Sequence, residues 1–239
     1  MADPPLSPSA WLRYDAVCRH LGRIGPIGSI LEVGAGGGAL GARLAETASY
    51  VAVEPDARSR RLAAARLPDG SRILADLAEL HSCTFDLLCA FEVLEHVEND
   101  RDALESWCEL VAPGGWVLVS VPAHRRRFGA ADRLVGHQRR YDPADLETLL
   151  RDVGLDQVVV EGYGFPLGNV LEAGRNVLAG RRGDEVRTAD ERSAASGRLW
   201  QPGVRLAPLT RAATYPFRLL QRPFTNPRWG RGLLARGRR

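Results

Sequence analysis

Short apolar runs and longer amphipathic stretches alternate along the first 162 residues, and that alternation predicts the fold. Runs at 29–33, 50–54, 71–75, 85–90, 115–121 and 155–161 have strand length and are bounded by turn residues. Helical spacing covers 38–47, 56–66, 99–111 and 143–153. The last is well marked, with Asp142 as cap, Pro143 in the first turn and Gly154 at the end. A further amphipathic helix opens at Ser7-Pro8 and runs to about Leu21. Strands alternating with helices form a parallel sheet covered on both faces. After Gly162 the rhythm breaks. Residues 164–225 hold apolar helical fragments, Leu167–Leu178 and Leu206–Leu220, separated by a polar stretch from Arg181 to Ser196. Trp229–Ala235 then returns to a strand pattern.

The run Ile30-Leu31-Glu32-Val33 ends in a glycine turn, residues 34–38, that feeds a helix. Glycine has no Cβ, so the backbone of such a turn can approach a ligand closely. Strand, turn and helix N-terminus together make a nucleotide-binding corner. Gly34-x-Gly36-x-x-Ala39 fits the dinucleotide fingerprint, with Glu54 at the end of the next strand as a ribose ligand. Glu32 tips the balance. A carboxylate two residues before the first glycine would repel a pyrophosphate and suits a cationic or amino-bearing ligand. S-adenosylmethionine carries a sulfonium and an amino group, and no phosphate.

With Glu32 the run resembles motif I of the class I S-adenosylmethionine-dependent methyltransferases. The resemblance spans about residues 10–162 plus the final strand. It implies an α/β, Rossmann-like three-layer sandwich with a seven-stranded, mostly parallel sheet, a reversed last strand and a C-terminal helical insertion. It also implies a cofactor site formed by Glu32, Gly34, Ala35, Gly36 and Gly38, by Glu54 and Pro55 after the second strand, by Asp76 and Leu77 after the third, and by Phe91 after the fourth. In that family the acid at Glu54 holds the ribose hydroxyls, both of which a carboxylate can accept. The acid at Asp76 contacts the adenine amino group, and the residue after it lines the ring. The segment from Leu110 through Pro113-Gly114-Gly115 resembles the turn that precedes the fifth strand. A dinucleotide enzyme would explain Glu54 but not Glu32, Asp76 or this turn.

On a helix Glu92, Glu95 and His96 are i, i+3 and i+4 and share one face. Two carboxylates and an imidazole can bind a divalent cation such as Mg2+. The spacing resembles the metal-supporting Glu-x-x-Glu-His of small-RNA 2′-O-methyltransferases and some quinone-biosynthesis O-methyltransferases. In those a further histidine follows the fifth strand, where His137 stands here. Such a metal would lower the pKa of an acceptor hydroxyl. Without one, His96 or His137 is a candidate general base. The loop 123–141 is rich in arginine and ends in Arg139-Arg140-Tyr141, three candidate substrate contacts. Guanidinium forks suit an acidic handle on the acceptor.

Composition narrows the setting. The chain has 239 residues, no lysine and 45% apolar residues, enough for a sizeable core. No run of 18 uncharged apolar residues predicts a membrane span, and Met1 to Pro5 lacks the regions of a signal peptide. Cys18, Cys83, Cys89 and Cys108 form no CxxC pair and read as buried thiols of a cytoplasmic protein. Charge is uneven: residues 181–239 hold 14 Arg against 4 acids, a net of +10, whereas the whole chain is +3. A tail of this kind either meets an anionic surface or folds back on the acidic body. Its Trp200, Tyr215, Phe217, Phe224 and Trp229 suit a lid over an apolar substrate. The resulting division is an N-terminal helix (1–28), a cofactor-binding core (29–163), a substrate lid (164–228) and a terminal strand (229–239).

The expected activity is methyl transfer from S-adenosylmethionine to a small-molecule biosynthetic acceptor, at oxygen. No RNA-binding module is recognisable, which disfavours nucleic acid as a partner. Two other readings stand beside it: an RNA- or membrane-associated methyltransferase using the basic tail, and a non-catalytic S-adenosylmethionine-binding module.

Overall fold

The computed structural model describes residues 4–80, 83–182 and 206–239. Seven strands form one sheet: β1 (Ser29–Val33), β2 (Ser49–Val53), β3 (Arg72–Leu74), β4 (Phe85–Phe91), β5 (Val111–Pro122), β6 (Asp156–Tyr163) and β7 (Gly232–Arg238). Their order is β3-β2-β1-β4-β5-β7-β6. Pairing is parallel from β3 to β5, and β7 lies antiparallel between β5 and β6. The helices are α1 (Pro8–Ile24), α2 (Gly41–Leu44), α3 (Ala57–Ala64), α4 (Asp100–Glu109), α5 (Ala130–Val135), α6 (Pro143–Asp152), α7 (Leu167–Arg182) and α8 (Ala207–Leu220).

Successive residues of a strand point to opposite faces, so a strand covered on both sides must be apolar throughout. In β4, Leu88 and Ala90 join one core layer with Leu104 and Leu146, while Leu87, Cys89 and Phe91 join the other with Ala16 and Val17 of α1. The chain runs outward from β1 through β2 to β3 and then returns to place β4 on the other side of β1. A crevice forms beyond the carboxyl ends of strands at such a switch point. Gly34 and Glu92, the residues that follow β1 and β4, stand there.

Several boundaries differ from expectation for local reasons. The 38–47 helix shrinks to α2, because the turn holds itself through Gly38 N–H to Ala35 O at 3.0 Å and helical bonding starts late. Asp142 has the extended backbone of a cap, but its Oδ1 accepts the Arg125 N–H at 3.2 Å and makes no cap bond to α6. The expected loop 123–141 contains α5, which ends at Gly136 in the left-handed region (φ +79°). Only Cys89 and Cys108 are buried; Cys18 and Cys83 are exposed, and none of the four is in a disulfide. The terminal strand begins at Gly232 rather than Trp229.

The described part of the basic tail folds back on the body. Arg222 lies 3.0 Å from Asp15 of α1 and Arg218 3.9 Å from the same carboxylate. Gln221 donates to Leu12 O and to Asp15, and Arg238 and Arg239 donate to backbone carbonyls near β5. Phe165, Phe224 and Trp229 form an aromatic cluster, whereas Tyr215 is exposed. Trp200 lies outside the described residues. Among the described residues no helix is long and apolar enough to cross a membrane.

Candidate active site

A cavity of about 980 Å³ opens at the switch point. Glu32, Gly34, Ala35, Gly36, Glu54, Pro55 and Phe91 line it, together with His96, His137 and Arg140. The glycine turn is shaped by three left-handed residues, Gly34 (φ +74°), Gly36 (φ +54°) and Gly38 (φ +70°). A side chain on Gly34 would strike Val93 and one on Gly38 the backbone of Ala63, whereas one on Gly36 would enter open space. Gly36 is therefore the residue whose bareness leaves room for a ligand.

Glu54, at the end of β2, braces this turn. Its Oε2 accepts the Gly36 N–H at 2.6 Å and its Oε1 the Asp56 N–H at 3.0 Å. Each oxygen keeps a second lone pair for a hydroxyl. Glu32 lines the cavity but is almost fully buried, and its carboxyl accepts the Tyr50 hydroxyl. Burial pushes its pKa up to about 7, so it is no fixed anion at neutral pH. Asp76 and Leu77 fall outside the cavity lining. Asp76 is exposed and caps a short 3₁₀ turn, accepting the Ala78 N–H at 2.8 Å.

Residues 92–96 form no α-helix. Glu92 takes a left-handed backbone (φ +59°), and a 3₁₀ turn follows at Leu94–His96. This separates Glu92 from the other two. Its carboxylate accepts the Tyr163 hydroxyl at 2.9 Å and faces Arg13 at 3.6 Å and Arg231 at 4.0 Å. Burial works against ionisation there, but Arg13 and Arg231 outweigh it and hold the carboxyl at about 2.

Glu95, His96 and His137 come together, with one ligand atom from each all within 4.8 Å of one another. Glu95 is fully buried and neither of its oxygens has a hydrogen-bond partner. Burial, and then the charge of Glu92, drive its pKa well up. His96 Nδ1 lies 3.2 Å from Gly136 O, and a carbonyl only accepts, so the proton sits on Nδ1 and the Nε2 lone pair is free. Burial, reinforced by His137, lowers the His96 pKa to about 4. His137 Nδ1 lies 2.8 Å from Asp132, whose pKa is about 2: hydrogen bonds from His137 and Arg140 outweigh its burial. That carboxylate can only accept, so Nε2 of His137 is free as well, 3.7 Å from Glu95.

Of the three candidate substrate contacts, only Arg140 lines this cavity. It is buried and fully engaged: two bonds to Asp132 at 2.9 and 2.8 Å, and a contact with Glu172 of α7. Arg139 pairs with Asp100 at 3.1 Å, and Tyr141 is a core residue whose hydroxyl donates to Asp100 at 2.6 Å.

A family model described as a methyltransferase domain matches residues 12–160. This chain belongs to that methyltransferase family. An uncharacterised methyltransferase of Mycobacterium bovis is 38% identical over 118 residues, 46% of this chain and 58% of that protein. The match thus spans little more than half the length of that relative. A ubiquinone biosynthesis O-methyltransferase of Azoarcus is 28% identical over 190 residues, 69% of this chain and 79% of its own. Among solved structures, the N-methyltransferase NodS of Bradyrhizobium japonicum, in complex with S-adenosylhomocysteine, superposes with TM-score 0.53 at 18% identity over 95% of this chain and 85% of its own. That likeness shows the fold: the methyltransferase has the class I sheet with its reversed strand.

Arg13, Glu172, Arg175 and Arg231 also line this methyltransferase's cavity, and the buried Tyr163 reaches it through Glu92; the sequence pattern does not point to them. The i, i+3 spacing of Glu172 and Arg175 on an apolar helix is the one exception. The support beneath the turn is tight. A Cβ on Gly41 would lie 2.1 Å from the Tyr50 hydroxyl and 2.9 Å from Glu32. Gly41→Ala is expected to cost about 1–3 kcal/mol through overpacking, read as a lowered midpoint in urea; an unchanged midpoint would mean that Tyr50 can swing away.

Proposed function

We propose that this protein transfers the methyl group of S-adenosylmethionine to an oxygen of a small-molecule acceptor. The supporting observation is that one cavity is lined both by the glycine turn with Glu54 and by His96 and His137. The first set suits the cofactor's ribose and main body. The second would offer lone pairs to an acceptor hydroxyl in the same cavity. The acceptor oxygen attacks the methyl carbon, the carbon–sulfur bond breaks, and its electron pair returns to sulfur, leaving a neutral thioether. Sulfonium is already an activated leaving group, so in-line alignment supplies most of the rate.

The fate of the hydroxyl proton follows from the buried trio. An unpartnered carboxyl and two free imidazole lone pairs fit a divalent cation, and Glu95, His96 and His137 would hold it. Glu92, committed to Tyr163 and Arg13, stands outside that set. Two imidazoles favour a transition divalent cation over Mg2+. When bound, such a cation would acidify the acceptor hydroxyl. In its absence the same geometry makes His137 the base, because Asp132 stabilises the imidazolium that forms.

Titration calorimetry should show micromolar binding of S-adenosylmethionine and none of NAD; selective NAD binding would overturn the proposal. With catechol-type acceptors and labelled cofactor, excess chelator should abolish turnover, and Glu95→Gln should reproduce the loss. Undiminished turnover in chelator removes the cation and leaves the proton to His137.

A further inference from the structure

The arginines of the 123–141 loop are largely engaged: Arg125 with Asp145 at 3.1 Å, Arg139 with Asp100, Arg140 with Asp132 and Glu172. Besides Arg58 beside Asp56 at the cofactor corner, the cavity draws its remaining positive charge from Arg13 of α1, Arg175 of α7 and Arg231 before β7. Arg175 makes no ion pair among the described residues, and its buried Nε has no hydrogen-bond partner. Burial, and then the charge of Arg231, lower its pKa to about 10. The acids nearest it are committed elsewhere, Glu172 to Arg140 and Glu92 to Arg13 and Arg231, so a buried guanidinium with no ion pair of its own suits an incoming anion.

Arg231 is built in firmly. Its N–H donates to Tyr163 O at 3.0 Å and its carbonyl accepts the Ala123 N–H at 3.0 Å, which fixes it between β6 and β5. A Cβ on Gly164 or on Gly168 would lie 2.8 Å from its side chain, so two glycines form the slot for its stem. The side chain is 9% exposed, its Nε is unpartnered, and its nearest carboxylate, Glu92, is 4.0 Å away and shared with Arg13. Asp132 and Glu172, the other acids lining the cavity here, are bound by Arg140.

We propose that Arg175 and Arg231 bind an anionic oxygen group, carboxylate or phosphoryl, carried by the methyl acceptor. This rests on the methyltransferase reading above. The cofactor has a carboxylate of its own, and the surroundings of the three arginines separate the two sources. Arg13 faces Glu92 at 3.6 Å, at the end of β4, the strand beside β1 and its glycine turn. Arg231 is anchored where β6 and β5 end and Arg175 stands on α7, which follows β6, whereas the glycine turn follows β1 across the sheet. The anion held by Arg175 and Arg231 therefore belongs to the acceptor.

The test is binding to the full chain saturated with S-adenosylhomocysteine, using benzoate, inorganic phosphate and the neutral isostere benzamide. Benzoate or phosphate should bind saturably and benzamide should not; the tighter anion identifies the group. Arg175→Gln should weaken that binding at least tenfold while leaving S-adenosylhomocysteine affinity and the unfolding midpoint unchanged. Absence of saturable anion binding, or anion binding indifferent to Arg175→Gln, would overturn the proposal. So would a loss of S-adenosylhomocysteine affinity in that variant, which would assign the arginine to the cofactor. Cofactor affinity is read separately in every sample, so failure of the methyltransferase reading shows as its absence in the parent chain.

Discussion

Replacing Arg140 with methionine is expected to lower the unfolding free energy by about 3–5 kcal/mol. The residue is 4% exposed and its guanidinium spans three elements: Nε and Nη2 reach Asp132 of α5, and Nη1 reaches Ala123 O after β5 and Glu172 of α7. Asp132 uses both oxygens twice, because Gly129 N–H and His137 also donate to it. Without the arginine, two carboxylates at 2% and 6% exposure lose the buried cation that bonds both. Urea unfolding followed by circular dichroism measures the cost. Adding Asp132→Asn and Glu172→Gln should recover most of it, since no uncompensated charge then remains. A loss below about 1 kcal/mol in the single variant would place the site in surface-like solvent.

Glu54→Gln is expected to weaken S-adenosylmethionine by about 1.5–3 kcal/mol, a factor of roughly 10–150 in Kd. The carboxylate receives backbone N–H groups on both oxygens. An amide would point its NH₂ at one of those donors, so the change removes a charge-assisted acceptor and unsettles the turn. Stability should fall far less than affinity, because Glu54 lies at the cavity wall and outside the hydrophobic layers. Calorimetry beside a thermal melt separates the two; an unaltered Kd would remove Glu54 from the cofactor site.

The inner strands β1, β2 and β4 were readable because they are buried on both faces and so are apolar over most of their length. The glycine turn and Glu54 were readable for a related reason: bare backbone and a strand-end acid leave few alternatives. The 92–96 segment was not. A helix gave the three polar residues one face, but the left-handed Glu92 breaks the period and sends its side chain to Arg13 and Tyr163. Nothing local marks that break, since it depends on the Ser120 carbonyl accepting the Glu92 N–H at 2.8 Å from the neighbouring strand. The arginine loop misled in the opposite direction. Its members are conspicuous in sequence, yet their partners come from α4, α5, α6 and α7, and pairing across such distances leaves no trace in spacing. Asp76 illustrates a third limit: a strand-end acid serves equally well as the cap of the turn it begins.

The antiparallel β7 has a consequence for biosynthesis. It is the wedge between β5 and β6, and it is made long after both. From Tyr163 to Arg238 the ribosome adds 75 residues, which at 5–20 residues per second takes about 4–15 s. Throughout that interval β6 has no neighbour in the sheet, and β5 presents an open apolar edge of the kind that recruits foreign strands. Arg231 arrives with β7 as well, so the cavity gains its anchored cation in the same event that closes the sheet. Nascent chains halted before residue 232 are thus both incomplete at the site and prone to aggregate, a window in which a chaperone has something specific to cover.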